Sequence, residues 1–208
     1  MDDQNLIEKA AEYVESKLSA SDEGGHDWHH TKRVWNVTKY LTEANNCNKT
    51  IAELGALFHD IADAKFHNGD ETVGEKITQN WLQKNKVSLD IVERIVFIVN
   101  HVSFRKKYKP SLKNELELAI VQDADRLDAI GAIGIARAFS FGGYKNRPLY
   151  STKAQSNSTI DHFYEKLLLL SSQMNTEAAR KIAIEKHNFM KAFLDQFNKE
   201  TNLENHSL

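Results

Sequence analysis

Cysteine occurs once, at Cys47, so the chain forms no internal disulfide, and a lone thiol fits a reducing cytoplasm, the location expected. Proline occurs only at Pro110 and Pro148 and glycine nine times, which leaves long stretches free of both and favours helices. No apolar run approaches ~18 residues, so no membrane-spanning helix is expected. The net charge of -2 provides no chain-wide basic field, and neither nucleic acid nor an acidic membrane surface is an expected partner. Met1-Asp2-Asp3-Gln4 is acidic and runs straight into an amphipathic pattern, unlike a signal peptide. There is no repeat, low-complexity segment or linker. With 208 residues, 41% apolar and 27% charged, one domain over 1–208 is expected, its core about 20–197 and its tail 198–208 polar.

What is present is helical periodicity. Leu6, Ala10, Tyr13, Val14 and Leu18 mark a first amphipathic helix. His26-Asp27-Trp28-His29-His30 opens a second, whose stripe is Val34, Val37 and Leu41, and His30 shares that inward face. Thr50-Ile51-Ala52-Glu53 reads as a capping box for a third helix with the stripe Ile51, Leu54, Phe58, Ile61 and Ala62. Val73, Ile77, Trp81 and Leu82 suggest a fourth. The β-branched run around Ile95 keeps a 3.6 period through Ile91, Ile98, Val99 and Val102, so it reads as helix. Residues 116–139 read as one long helix, in which Gly131 and Gly134 would admit a neighbouring helix. Residues 141–158 read as the longest loop, with two closing helices at 159–172 and 176–197. The fold class expected is all-α.

The adjacent pair His59-Asp60 stands in the middle of the apolar run 54–63. Burying an unpartnered carboxylate costs several kcal/mol, and a metal ion is one partner that offsets it. The bland alternative is a half-buried histidine beside a capping aspartate. On a helix the two side chains lie about 100° apart and can reach one point beside the axis, with Asp63 one turn above His59. Asp123, Asp125 and Asp128 cannot all be surface groups on so apolar a helix; ion pairs with Arg126 or Arg137 are the alternative to a site role. A histidine at a helix start, the His-Asp pair and one later aspartate would supply four N/O ligands to a divalent first-row metal.

The ordered set His30-x-x-Arg33-Val34, Leu57-Phe58-His59-Asp60 and Ala124-Asp125-Arg126-Leu127-Asp128 resembles the signature of the HD-domain metal-dependent phosphohydrolases. His26-Asp27-Trp28-x-His30, Asp60-Ile61-Ala62-Asp63-x-Lys65, His101-Val102-Ser103-Phe104, the run from Gly131 to Arg137 and His162-Phe163-Tyr164-x-Lys166-Leu167 are similar to the small bacterial YpgQ/YedJ-like subgroup. The resemblance implies an HD-like helical bundle. It implies His30, His59, Asp60 and Asp125 as ligands of one divalent ion (Mn²⁺, Fe²⁺, Ni²⁺ or Mg²⁺), a small-molecule nucleotide as substrate, and cleavage of a nucleoside triphosphate to monophosphate and pyrophosphate. A homodimer is compatible with it.

Within that resemblance, Asp63 is the candidate to orient or deprotonate water, and Lys65 to meet developing phosphoryl charge. Arg33, His101, Lys106, Asp128, Tyr144, His162 and Lys166 are the candidate substrate contacts. A salt bridge with Lys65 or Arg33 is the structural alternative for Asp63, and a solvated surface that for the Arg105-Lys106-Lys107 loop. His101 is alternatively a ligand of a second metal. Rival activities are a phosphodiesterase, a nucleoside 5′-monophosphatase, a two-iron oxygenase and a non-catalytic nucleotide sensor. Asp63→Asn is expected to keep the metal and slow turnover at least about tenfold; an unchanged steady-state rate removes Asp63 from the chemistry.

Overall fold

The computed structural model describes residues 2–18, 27–62, 70, 72–103, 108–152 and 157–201. Among these the periodic stretches become nine α-helices and no strand. They are α1 (Asp3–Leu18), α2 (Trp28–Glu43), α3 (Lys49–Phe58), α4 (Thr72–Lys84), α5 (Leu89–His101), α6 (Leu116–Asp128), α7 (Gly131–Tyr144), α8 (Thr159–Glu165) and α9 (Glu177–Thr201), with a 3-10 helix at Leu167–Gln173. The chain divides into two compact units, Met1–Asp125 and Arg126–Leu208.

The first unit is built on α3. Ile51, Ala52, Leu54, Gly55, Ala56, Leu57 and Phe58 are all buried, because a helix apolar on nearly every side must be enclosed. It packs against α1, α2 and α5. Phe58 is fully buried, with ring centroids 6.3 Å from Tyr13 of α1 and 5.2 Å from Trp81 of α4. The α3–α5 approach is close: a Cβ at Gly55 would stand 2.9 Å from Ile98 Cγ2. The β-branched run is the helix its period predicts, burying Val92, Ile95 and Ile98.

In the second unit, Phe139 of α7, Phe163 of α8 and Phe193 and Phe197 of α9 stack with neighbouring centroids about 6 Å apart. Ser158 and Asp161 form a capping box that starts α8.

Several expectations about elements change. Asn48, not Thr50, caps α3, its side chain accepting from the Ile51 N–H at 3.1 Å; asparagine is among the strongest N-caps, and it lies two residues upstream. The Thr50 hydroxyl instead donates to Asp3, and Glu53 accepts from the Trp35 indole. The stretch 116–139 is two helices. Ala129 and Ile130 turn the chain, Gly131 takes φ +75°, and Lys186 Nζ donates to the Leu127 carbonyl at 2.8 Å, satisfying a helix-end acceptor. A Cβ at Gly134 would overlap the Ala129 carbonyl, so this glycine makes room for the turn itself and not for another helix.

The stretch after 141 is not loop from its start, since α7 continues to Tyr144. Thr159 and Ile160 N–H groups then donate to the Pro148 and Leu149 carbonyls at 2.9 and 3.0 Å. The 159–172 stretch is a short α-helix followed by 3-10 turns, and the last helix runs past Phe197 to Thr201.

Gly55→Val adds a branched side chain against the branched Ile98. A loss of about 1–3 kcal/mol is expected in urea unfolding; wild-type stability would show that α3 and α5 separate freely.

Candidate metal centre

His30 enters the site from the first turn of α2. Asp27 is the N-cap, and its Oδ1 accepts from the His30 N–H at 2.7 Å, which fixes the turn that carries the ring. The His30 residue is 1% exposed, so the inward placement expected from its helical face holds. His59 follows the last residue of α3 and is its C-cap. Its Nδ1 lies 2.7 Å from the Ala56 carbonyl oxygen. A carbonyl only accepts, so Nδ1 carries the proton and Nε2 of the neutral ring presents a lone pair. The buried, aromatic-anchored Phe58 directly before it holds the backbone from which His59 and Asp60 project.

Four side chains of the first unit converge. His30 Nε2 and His59 Nε2 are 3.3 Å apart. Asp60 Oδ2 lies 3.4 Å from each of them, and Asp125 Oδ1, from α6, lies 3.6 Å from His30 Nε2. One ligand atom each from His30, His59 and Asp60 falls within 4.8 Å of the others. Donors held about 2.1 Å from one ion at octahedral or tetrahedral angles stand about 3.0–3.4 Å apart. The His30, His59 and Asp60 spacings fall within that range and the Asp125 spacing just beyond it, with the imidazoles buried and the carboxylates of Asp60 and Asp125 23% and 31% exposed. The donor set suits a borderline divalent ion, and the partly open carboxylate side leaves room for water or a ligand.

The electrostatics point the same way. Burial pushes the His59 imidazolium down, but the adjacent carboxylate of Asp60, with help from Asp125 and the Ala56 carbonyl, overrides burial and raises it to about 9. Without a metal, the site therefore captures a proton where a dication would sit.

The remaining candidates fall in separate places. Asp63, Lys65 and Lys106 lie outside the described residues; short of them, α3 ends at Phe58 and the Ile61 N–H donates to the Phe58 carbonyl. Arg33 is half-buried on α2, three residues after His30. His101 ends α5, its Nδ1 2.8 Å from the Phe97 carbonyl. Asp128 is 4% exposed and forms an ion pair with Arg137, one of the two partners weighed for it. Tyr144 belongs to α7 instead of a loop, is 60% exposed and has Lys145 Nζ 4.9 Å from its ring centroid.

His162 and Lys166, four residues apart, lie in the second unit. Burial first, then the charges of Lys166 and Arg147, hold the His162 pKa below its usual value. Arg147 was not legible beforehand; only the hydrogen bonds tying the 148–149 backbone to α8 bring it there. Asp27 as the cap that sets His30 and Gln122 beside Asp125 were also missed. The Asp-x-x-His spacing of an N-cap and its third helical residue could have revealed the first.

Residues 27–130 match the HD domain family model, and the chain belongs to the HD-domain family of metal-dependent hydrolases. It is 39% identical to YpgQ of Bacillus subtilis (strain 168) over 196 residues, 93% of this chain and 92% of the relative. A crystal structure of an HD-superfamily hydrolase from Bacillus thuringiensis superposes with a TM-score of 0.81 at 39% identity, covering 97% of this chain and 99% of that one. Bacillus subtilis YpgQ in complex with ADP superposes with a TM-score of 0.82 at 34% identity, covering 96% and 97%.

A proton and a metal held by His59 would compete for the same ring nitrogen. Its raised pKa stabilises the metal-free fold fully below pH 6.5, and that stabilisation is lost as pH rises through about 9. Metal binding to the neutral ring must therefore release about one proton at pH 7.5, and apparent affinity should rise about tenfold per pH unit up to about 9. Calorimetry in two buffers of different ionisation enthalpy counts that proton; a count of zero removes His59 from the ligand set.

Proposed function

We propose that this hydrolase cleaves a phosphoric anhydride bond of a nucleotide, acting as a (deoxy)nucleoside triphosphate pyrophosphohydrolase that releases a monophosphate and pyrophosphate. The observation that carries the reading is the convergence of His30, His59 and Asp60 at metal-ligand spacing, with Asp125 3.6 Å from His30, in an HD-family chain. The crystal structure of YpgQ with ADP supports nucleotide as the ligand class.

His30, His59, Asp60 and Asp125 are the proposed ligands of one divalent ion, with Mn²⁺ one of the ions that suit the set. Such an ion supplies Lewis acidity toward a phosphoryl oxygen and lowers the pKa of a coordinated water. The protein's own share begins with orientation. The Ala56 carbonyl holds the His59 ring with Nε2 free to bind, and Asp27 caps the backbone turn from which His30 projects. The open sides of Asp60 and Asp125 leave the approach for an anionic substrate.

Arg33 and Lys65 are proposed to meet phosphoryl oxygens and Asp63 to take the proton of the attacking water. Bond formation from that water oxygen to phosphorus breaks the bridging P–O bond, and pyrophosphate leaves. Lys106, His162 and Lys166 are proposed phosphate contacts, with His101, Asp128 and Tyr144 toward sugar or base. The neutral state favoured for His162 beside two cations makes it a group that an arriving phosphate would protonate or hydrogen-bond. The same donor set serves phosphodiester or monoester hydrolysis, and the products decide between them.

A panel of nucleoside mono-, di- and triphosphates against several divalent metals, with products identified, is the direct test. Pyrophosphate and monophosphate in equal amounts are expected from triphosphates; inorganic phosphate alone assigns the monophosphatase instead. Asp125→Ala is expected to lose bound metal and at least about a hundredfold in kcat while keeping its helical circular dichroism. Full activity in that variant ends the ligand assignment.

A further inference from the structure

Gln122 lies on α6, one turn before Asp125, and is 1% exposed. Its Nε2 donates to the His101 carbonyl at 2.9 Å and to the Tyr108 carbonyl at 3.1 Å. Both partners are carbonyl oxygens, which only accept, so the amide nitrogen must be the atom that faces them. One buried amide thus spends both of its protons on main chain from either side of the connection that follows α5. The His101 carbonyl is also one of the α5 end acceptors that no helical N–H can reach.

The His101 ring is held from several directions. Its centroid lies 4.1 Å from that of Phe97 and 4.8 Å from that of Tyr108. Its Nδ1 donates to the Phe97 carbonyl at 2.8 Å, which leaves Nε2 as the ring nitrogen able to meet a ligand. Tyr108 is fixed in turn: its hydroxyl donates to Glu115 Oε1 at 2.7 Å, while Glu115 Oε2 accepts from the Ser111 N–H at 2.7 Å. Glu115 immediately precedes α6. The base of α6 and its middle, through Glu115 and Gln122, therefore grip the same tyrosine.

We infer that Gln122 is a positioning residue: by holding the backbone of His101 and Tyr108 to α6, it sets the His101 imidazole in register with Asp125 on the same helix. This rests on the nucleotide-hydrolase reading for its effect on turnover, but its effect on the ring is independent of any activity. Gln122 touches no reacting atom. It acts through His101, whose Nε2 then meets the substrate at a constant distance from the metal ligands.

Two variants separate this role from packing. Gln122→Met keeps the volume and removes both donors; Gln122→Glu keeps the shape and sets carboxylate oxygens against two carbonyls, so it should be the worse of the two. For Gln122→Met, KM for the nucleotide found best in the substrate panel is expected to rise about tenfold with kcat within about threefold, since His101 would be met equally by substrate and transition state. Adding Gln122→Met to His101→Ala is expected to change KM less than twofold further, because the two act as one unit.

The His101 Cε1–H proton resonance, shifted by the flanking rings of Phe97 and Tyr108, is expected to move toward that of an exposed histidine in Gln122→Met. An unmoved resonance overturns the inference, as does a wild-type KM in an active enzyme. If the wild-type protein cleaves no nucleotide, the hydrolase reading fails by itself, and the resonance alone decides whether Gln122 holds the ring. Should Gln122→Met lose its cooperative melt, Gln122→Asn, which keeps the amide but withdraws it from the His101 and Tyr108 carbonyls by one methylene, tests the same clamp with the same readouts.

Discussion

Two imidazole nitrogens 3.3 Å apart, with carboxylate oxygens 3.4 and 3.6 Å away, need a positive charge among them. Lone pairs crowded in a buried place repel, and the desolvated carboxylates add to the demand. A proton meets it partly, as the raised affinity of His59 shows, and a divalent ion meets it fully. Much of the local structure of the first unit can be understood as supplying that demand. The Asp27 cap and the Ala56 carbonyl are ordinary helix-end hydrogen bonds, yet the first fixes the backbone turn that carries His30 and the second the direction of the His59 imidazole.

The placement of the His-Asp pair at the end of α3 has a further consequence. His59, as the C-cap, keeps helical backbone angles (φ -56°, ψ -33°), while Phe58, in ring contact with Tyr13 and Trp81, anchors the backbone before it. The apolar helix gives rigidity and its end gives access.

Much of this was legible from residue order. The 3.6 period survives any sequence of β-branched residues, which is why α5 was readable as a helix despite the composition of Ile95 to Val99. The order His30, His59-Asp60, Asp125 carried the resemblance to the HD family, and the family model matches residues 27–130, a range that holds all four. The break after Asp128 was not, because periodicity continues across it; the turn depends on a positive φ at Gly131 and on Lys186 of a distant helix taking the Leu127 carbonyl. The capping residue of α3 was misplaced because asparagine and threonine compete for the same role within two positions, and Thr50 finds Asp3 instead.

The sequence by itself determined the class of the protein: helical periods, a nearly neutral charge balance, and nitrogen and oxygen donors in the order of the HD family. Only the tertiary structure decided which atoms face one another. Tautomers, ring directions and pairings such as Asp128 with Arg137 or Gln122 with two carbonyls join residues distant along the chain. Their physical cause is that hydrogen-bond geometry is satisfied in three dimensions, by whichever partner the packed helices bring within about 3 Å, and no one-dimensional spacing encodes that distance.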